Sequence, residues 1–135
     1  MGRAAEVVRE ACHVIWSEGD VSRVGEFYAE QFVADYPMTD WGEGLAGVSA
    51  LATQVRIDLP GYTEEIEELI EAGNEVVVRL KISGENKATG ETVSFRDVSM
   101  LTVEDGKITR QRGVTDYLSL YLELGVISLP ERQTG

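Results

Sequence analysis

The residues of this chain best suited to chemistry are a few acids that interrupt apolar faces. Alternation along 92–103 puts Val93, Phe95, Asp97, Ser99, Leu101 and Val103 on one side of an expected strand. A carboxylate in the middle of such a row has two readings. It pairs with Arg96, Arg110 or Arg112 on a partly solvated face, or it lines an apolar pocket. Asp116 is the second candidate, following Gly113-Val114-Thr115 and preceding the apolar segment Tyr117 to Leu122. Aspartate is a favoured helix N-cap and suits that place. In an apolar cavity, desolvation would instead raise its pKa and fit it for general acid or base work near neutral pH. Strict alternation groups Asp116 with Arg110 and Arg112, while Gly113 permits a bulge that would re-aim it. Asp35 and Tyr36 stand where a first strand leaves the helices. Tyr36, Trp41 and Tyr62 offer hydroxyl or indole donors for an aromatic wall, or belong to core or rim. His13 reads as structural or surface. Glu64, Glu65, Glu67, Glu68 and Glu71 read as a solvated face. The chain carries no nucleophile elbow, phosphate loop or dinucleotide fingerprint.

These residues need elements to position them. Ala4, Val7, Val8, Ala11, Cys12 and Ile15 recur at helical spacing, which predicts a helix over 3–18, with Gly19 in a left-handed terminal position. Asp20 or Ser22 then caps a short second helix reaching about Tyr28. Gln31 to Pro37 reads as a strand, Trp41 to Gly44 as a loop and Ser49 to Ile57 as a helix ended by Pro60-Gly61. In the second half, Val76, Val78, Leu80 and Ile82 alternate with polar partners over 75–83. Gly84 to Gly90 is turn-rich, and 92–103 is a long strand. Asp105-Gly106 is a strong hairpin signal returning through about Asp116. The segment 62–72 fits either a helical stripe or a strand, and the meander around it favours a strand. Helices first and strands after predict an α+β domain with one curved sheet, spanning 1–135.

Composition narrows the partners. The 135 residues carry 12 Lys and Arg against 24 Asp and Glu, a net charge of −12, with 43% hydrophobic residues. So acidic a chain argues against nucleic acid and against anionic membrane surfaces. The lone Cys12 cannot form an internal disulfide, and with His13 the sole histidine, most transition-metal sites are improbable. No apolar run has the length of a membrane helix, and the start lacks a signal-peptide core, so a cytoplasmic protein is expected.

The order of short motifs resembles the polyketide cyclase (SnoaL-like) branch of the nuclear-transport-factor-2-like superfamily. Its markers here are Trp16-Ser17-Glu18-Gly19-Asp20, then Phe27-Tyr28 through Phe32-Val33, and Leu59-Pro60-Gly61-Tyr62. They continue with Ala72-Gly73-Asn74-Glu75-Val76, Ala88-Thr89-Gly90, Asp105-Gly106-Lys107-Ile108, Asp116 and Leu124-Gly125. The resemblance covers about 5–126. It implies a cone-shaped α+β barrel in which helices close a strongly curved, mostly antiparallel sheet over an apolar pocket, and it implies a homodimer. It implies a cofactor-free and metal-free reaction on a small apolar carbonyl compound, such as aldol cyclisation, isomerisation or dehydration. Asp116 matches the family's acid/base aspartate, and Asp97 is a second carboxylate. Asp35, Tyr36, Trp41, Tyr62, Met100 and Gln111 are the substrate-binding candidates. The chain departs from the family where histidines are common, with Asp35 and Gln111 in such places. A ligand-binding or dimerisation module on the same fold is the alternative. A branch similar to limonene-epoxide hydrolase fits less well, because Arg79 matches its arginine but Lys81 stands where its first aspartate belongs.

Overall fold

The structure is a computed structural model describing residues 2–131. Helix α1 (Arg3–Ala11) buries Ala4, Ala5, Val7, Val8 and Ala11 on one stripe, as its spacing requires. It runs on through a widened turn, Cys12–Ser17, in which Glu18 N–H bonds the His13 carbonyl five residues back. That turn buries Cys12, Val14, Ile15 and Trp16 together. Gly19 follows at φ 75°, the left-handed stop expected of it. A short 3-10 turn (Val21–Arg23) leads into α2 (Val24–Phe27) and then β1 (Tyr28–Asp35), which starts three residues before the expected strand.

Helix α3 (Gly44–Asp58) is followed by four consecutive antiparallel strands: β2 (Thr63–Ala72), β3 (Glu75–Glu85), β4 (Thr92–Glu104) and β5 (Lys107–Thr115). Segment 62–72 is therefore a strand. β3 runs two residues past its predicted end, because Glu85 N–H bonds the Pro60 carbonyl at 2.8 Å. Asp105 and Gly106, at φ 51° and 76°, make the two-residue turn that the dipeptide predicts. Helix α4 (Tyr117–Leu124) is the last element and stops at Gly125, which is left-handed.

The sheet order is β1-β5-β4-β3-β2, with β1 parallel to β5. The sheet is mixed, curved and unclosed, with β1 and β2 as edges, so the cone is open along one side. Register shifts within β1, after Ile66 in β2 and between Thr102 and Val103 supply the local bends. The concave face carries Val76, Val78, Leu80 and Ile82 of β3 with Val93, Phe95, Leu101 and Val103 of β4, packed towards α1 and its widened turn. Each such side chain stabilises the fold by roughly 2 kcal/mol when fully buried, whereas an unpartnered carboxylate in the same row would cost more than that. No helix among the described residues is long and apolar enough to cross a membrane.

Candidate active site

The concave face and the helices enclose a cavity of about 330 Å³. Its walls are aliphatic and aromatic: Val8 and Ala11 from α1, Leu51 and Val55 from α3, and Val78, Leu80, Phe95 and Ile108 from the sheet. Trp41, in the loop before α3, is the centre of an aromatic group. It stacks on Tyr36 at 5.1 Å between centroids and meets Trp16 edge-on at 5.4 Å. Trp16 Nε1–H donates to Tyr28 Oη at 2.8 Å, so the indole has a partner inside the apolar wall.

Asp97 lies on this wall, 6% exposed, where the alternation of β4 puts it. Ser99 Oγ donates to its Oδ1 and Thr115 Oγ1 to its Oδ2, both at 2.5 Å. None of Arg96, Arg110 and Arg112 pairs with it, so the ion-pair reading of Asp97 does not apply. Arg96 instead engages Glu67 across the outer face at 2.6 Å. Burial pushes the Asp97 carboxyl above the ordinary aspartate range, and the two hydroxyls offset part of that rise.

The Asp97 carboxylate begins a directed chain of hydrogen bonds. A carboxylate only accepts, so Ser99 must donate to it. Tyr36 Oη lies 2.5 Å from Ser99 Oγ and therefore donates to it, and Gln111 Nε2 donates to Tyr36 Oη at 2.8 Å. The amide is thereby oriented, and Gln111 Oε1 is left buried without a partner. Gly113 makes room for this arrangement. It stays in register opposite Ser99, with no bulge, and a Cβ there would stand 2.7 Å from Tyr36 Cε2 and 2.5 Å from the Val98 carbonyl.

A second acid enters the cavity from β2. Glu64 lines the wall, with Tyr62 Oη donating to its Oε2 at 2.6 Å. Ser17 Oγ bonds both the N–H and the carbonyl of Glu64, tying β2 to the widened turn. Desolvation first, and the Asp97 charge second, push the Glu64 carboxyl up to about 8. Reading the glutamates of 64–71 as one solvated face is corrected here. Glu64 sits between inward-facing Tyr62 and Ile66 at a spacing of two, which was the available signal. After Ile66 the register shift reverses the phase, so Leu69 packs on the core while Ile70 is 64% exposed.

Three site expectations do not survive the geometry. Asp116 is exposed and outside the cavity. It caps α4, accepting from Ser119 N–H at 3.0 Å and from Ser119 Oγ at 2.5 Å, which holds its carboxyl below the usual range. Asp35 ends β1 with an exposed side chain, and Met100 points to the outer face, 42% exposed, because it follows the buried Ser99 by one residue. Tyr36, Trp41, Tyr62, Asp97 and Gln111 do line the cavity together. His13 is exposed and pairs with Glu18 at 2.7 Å.

An open, curved α+β sheet with acids lining the cavity on its concave face defines a class of small pocket proteins. The chain belongs to the SnoaL-like polyketide cyclase family, which matches it over residues 6–124. A candidate polyketide cyclase of Acidithiobacillus ferrooxidans superposes with TM-score 0.85 at 20% identity, covering 94% of this chain and 97% of that one. A candidate polyketide cyclase of Bacillus cereus gives 0.83 at 25% identity, over 93% and 83%. TsrD of Streptomyces laurentii gives 0.80 at 18%, over 93% and 96%. No curated protein sequence matches the chain.

Proposed function

We propose that the chain is an acid/base enzyme acting on a small apolar carbonyl compound, by aldol-type ring closure or a related isomerisation or dehydration, with Asp97 as the base. The observation that carries this reading is Asp97 itself, an acid buried on an apolar cavity wall with hydroxyl partners and, among the described residues, no cation paired with it. Desolvation makes such a carboxylate more basic than one in water, while its two hydroxyl donors favour the charged form. Asp97 removes a proton alpha to the carbonyl. Once it holds that proton, Ser99 no longer has to donate to it, and the Tyr36 hydroxyl is released to turn towards the developing oxyanion. Trp41 and Tyr36, stacked on each other, give the cavity an aromatic wall beside which a ring can lie.

The test needs no knowledge of the natural substrate. The probe 5-nitrobenzisoxazole opens when a base takes its carbon-bound proton, and its nitrophenolate leaves without help from an acid. The wild type is expected to accelerate this opening over acetate in water. Asp97→Asn, which keeps the side-chain shape and is checked for folding by circular dichroism, is expected to lose on the order of 100-fold or more of that rate. Equal rates for the two proteins would leave the cavity a binding site without this chemistry.

A further inference from the structure

Glu64 has no part in the base chemistry above, yet it shares the cavity with Asp97. It projects from β2 opposite Ile82 of β3, and Asp97 projects from β4 opposite Leu80 of β3. The two acids therefore approach the cavity from strands two positions apart, roughly 10 Å of sheet width at the backbone, and both line it. We propose that Glu64 is the proton donor of the same reaction, delivering its proton to the substrate carbonyl oxygen while Asp97 takes the proton from carbon. This rests on the reading of Asp97 as the base.

Burial and the Asp97 carboxylate favour the neutral form of Glu64, and hydrogen bonds from Tyr62 and Cys12 offset part of that. From the widened turn comes the Cys12 thiol, from β1 the Tyr28 phenol, from the loop before β2 the Tyr62 phenol and from β4 the Asp97 carboxylate. No lysine, arginine or histidine lines the cavity among the described residues. The nearby Arg56 guanidinium of α3 is spent on the carbonyls of Trp16, Ser17 and Tyr62. Two carboxylates facing one apolar space without a cation do not both ionise readily, and the pair divides into a neutral acid and a charged base. Asp97, with two hydroxyl donors, keeps the charge. Glu64 keeps the proton.

The step balances. Asp97 gains the alpha proton as the C–H bond breaks, Glu64 gives its proton to the carbonyl oxygen, and an enol forms. When the enol carbon attacks a second carbonyl carbon, the enol proton returns to Glu64. Asp97 then protonates the new alkoxide, and both acids regain their starting state.

The fluorogenic ketol 4-hydroxy-4-(6-methoxy-2-naphthyl)-2-butanone reads the reverse step. Asp97 takes the hydroxyl proton, the C–C bond breaks to release the naphthaldehyde, and Glu64 protonates the enolate oxygen. For the wild type a bell-shaped pH profile is expected, with its alkaline limb near the Glu64 value of about 8. Glu64→Gln, checked for folding by circular dichroism, is expected to lower the rate roughly 10-fold or more and to erase the alkaline limb. A lowered rate with the limb intact would mean a structural role and overturn the proposal, as would a rate equal to wild type or a wild type inert towards the ketol. In a measurement without turnover, the carbon-13 carboxyl signal absent from Glu64→Gln should titrate near 8, and titration in the ordinary glutamate range would also overturn it. Failure here with Asp97-dependent opening of 5-nitrobenzisoxazole intact would remove Glu64 alone. Loss of both would remove the acid/base reading.

Discussion

At the scale of single residues, the site depends on acids whose roles are set by what surrounds them. Asp97 is buried with hydroxyl donors, Glu64 is partly buried with Tyr62 donating to it and no cation paired with it among the described residues, and Asp116 is exposed and spent on a helix cap. The Glu64 proton has a consequence for stability. Its folded pKa of about 8 lies above the model-peptide value of 4.5, so between these values the folded chain binds more protons than the unfolded one. Stability must then fall as pH rises through that window, by up to about 5 kcal/mol. Urea unfolding at several pH values should show this slope in the wild type and a flatter one in Glu64→Gln. Asp116→Ala should cost about 1 kcal/mol through loss of the α4 cap. Asp116→Asn, which caps equally well, should retain wild-type turnover of 5-nitrobenzisoxazole. A 100-fold loss in that variant would return Asp116 to the reaction.

At the scale of elements, the positioning is done by contacts remote in sequence. Glu71 of β2 accepts from the N–H groups of Gly2 and Ala5 at 2.9 and 2.8 Å, so a strand supplies the N-terminal cap of α1. Glu71→Ala should lower stability by about 1–2 kcal/mol in denaturant titration, because those amides lose a charged acceptor at the positive end of the helix. Gly113 keeps β5 against Tyr36. Gly113→Ala should displace Tyr36, break its bond to Ser99 and reduce turnover of 5-nitrobenzisoxazole at least several-fold, because the chain that directs Asp97 would be interrupted. Most strand and helix positions were legible from periodicity, since their apolar residues repeat at spacings of two or of three and four. The widened turn at Cys12–Ser17 and the register shift after Ile66 were not, because neither leaves a change of residue type to mark it.

For the whole molecule, the outer face of the sheet matters most. Val98 and Val114 pair directly across β4 and β5, at 47% and 64% exposure, with Met100 and Val33 also exposed. The homodimer expected from the family resemblance would cover this strip. Sedimentation should show twice the mass of one chain, and Val114→Lys should shift the population to monomer. A monomeric wild type would remove the dimer.

The sequence alone determined the α+β order of elements, the inward row on β4 that contains Asp97, and the net charge of −12. These are local or summed properties, and periodicity and charge report them directly. The tertiary structure alone decided which acids face the cavity. Asp116 matches a family motif but lies outside, because the chain has already turned into α4. Glu64 sits in a run of glutamates yet faces inward, because β2 lies against the turn that carries Ser17. The burial of a side chain depends on neighbours brought from distant parts of the chain, and no local pattern contains them.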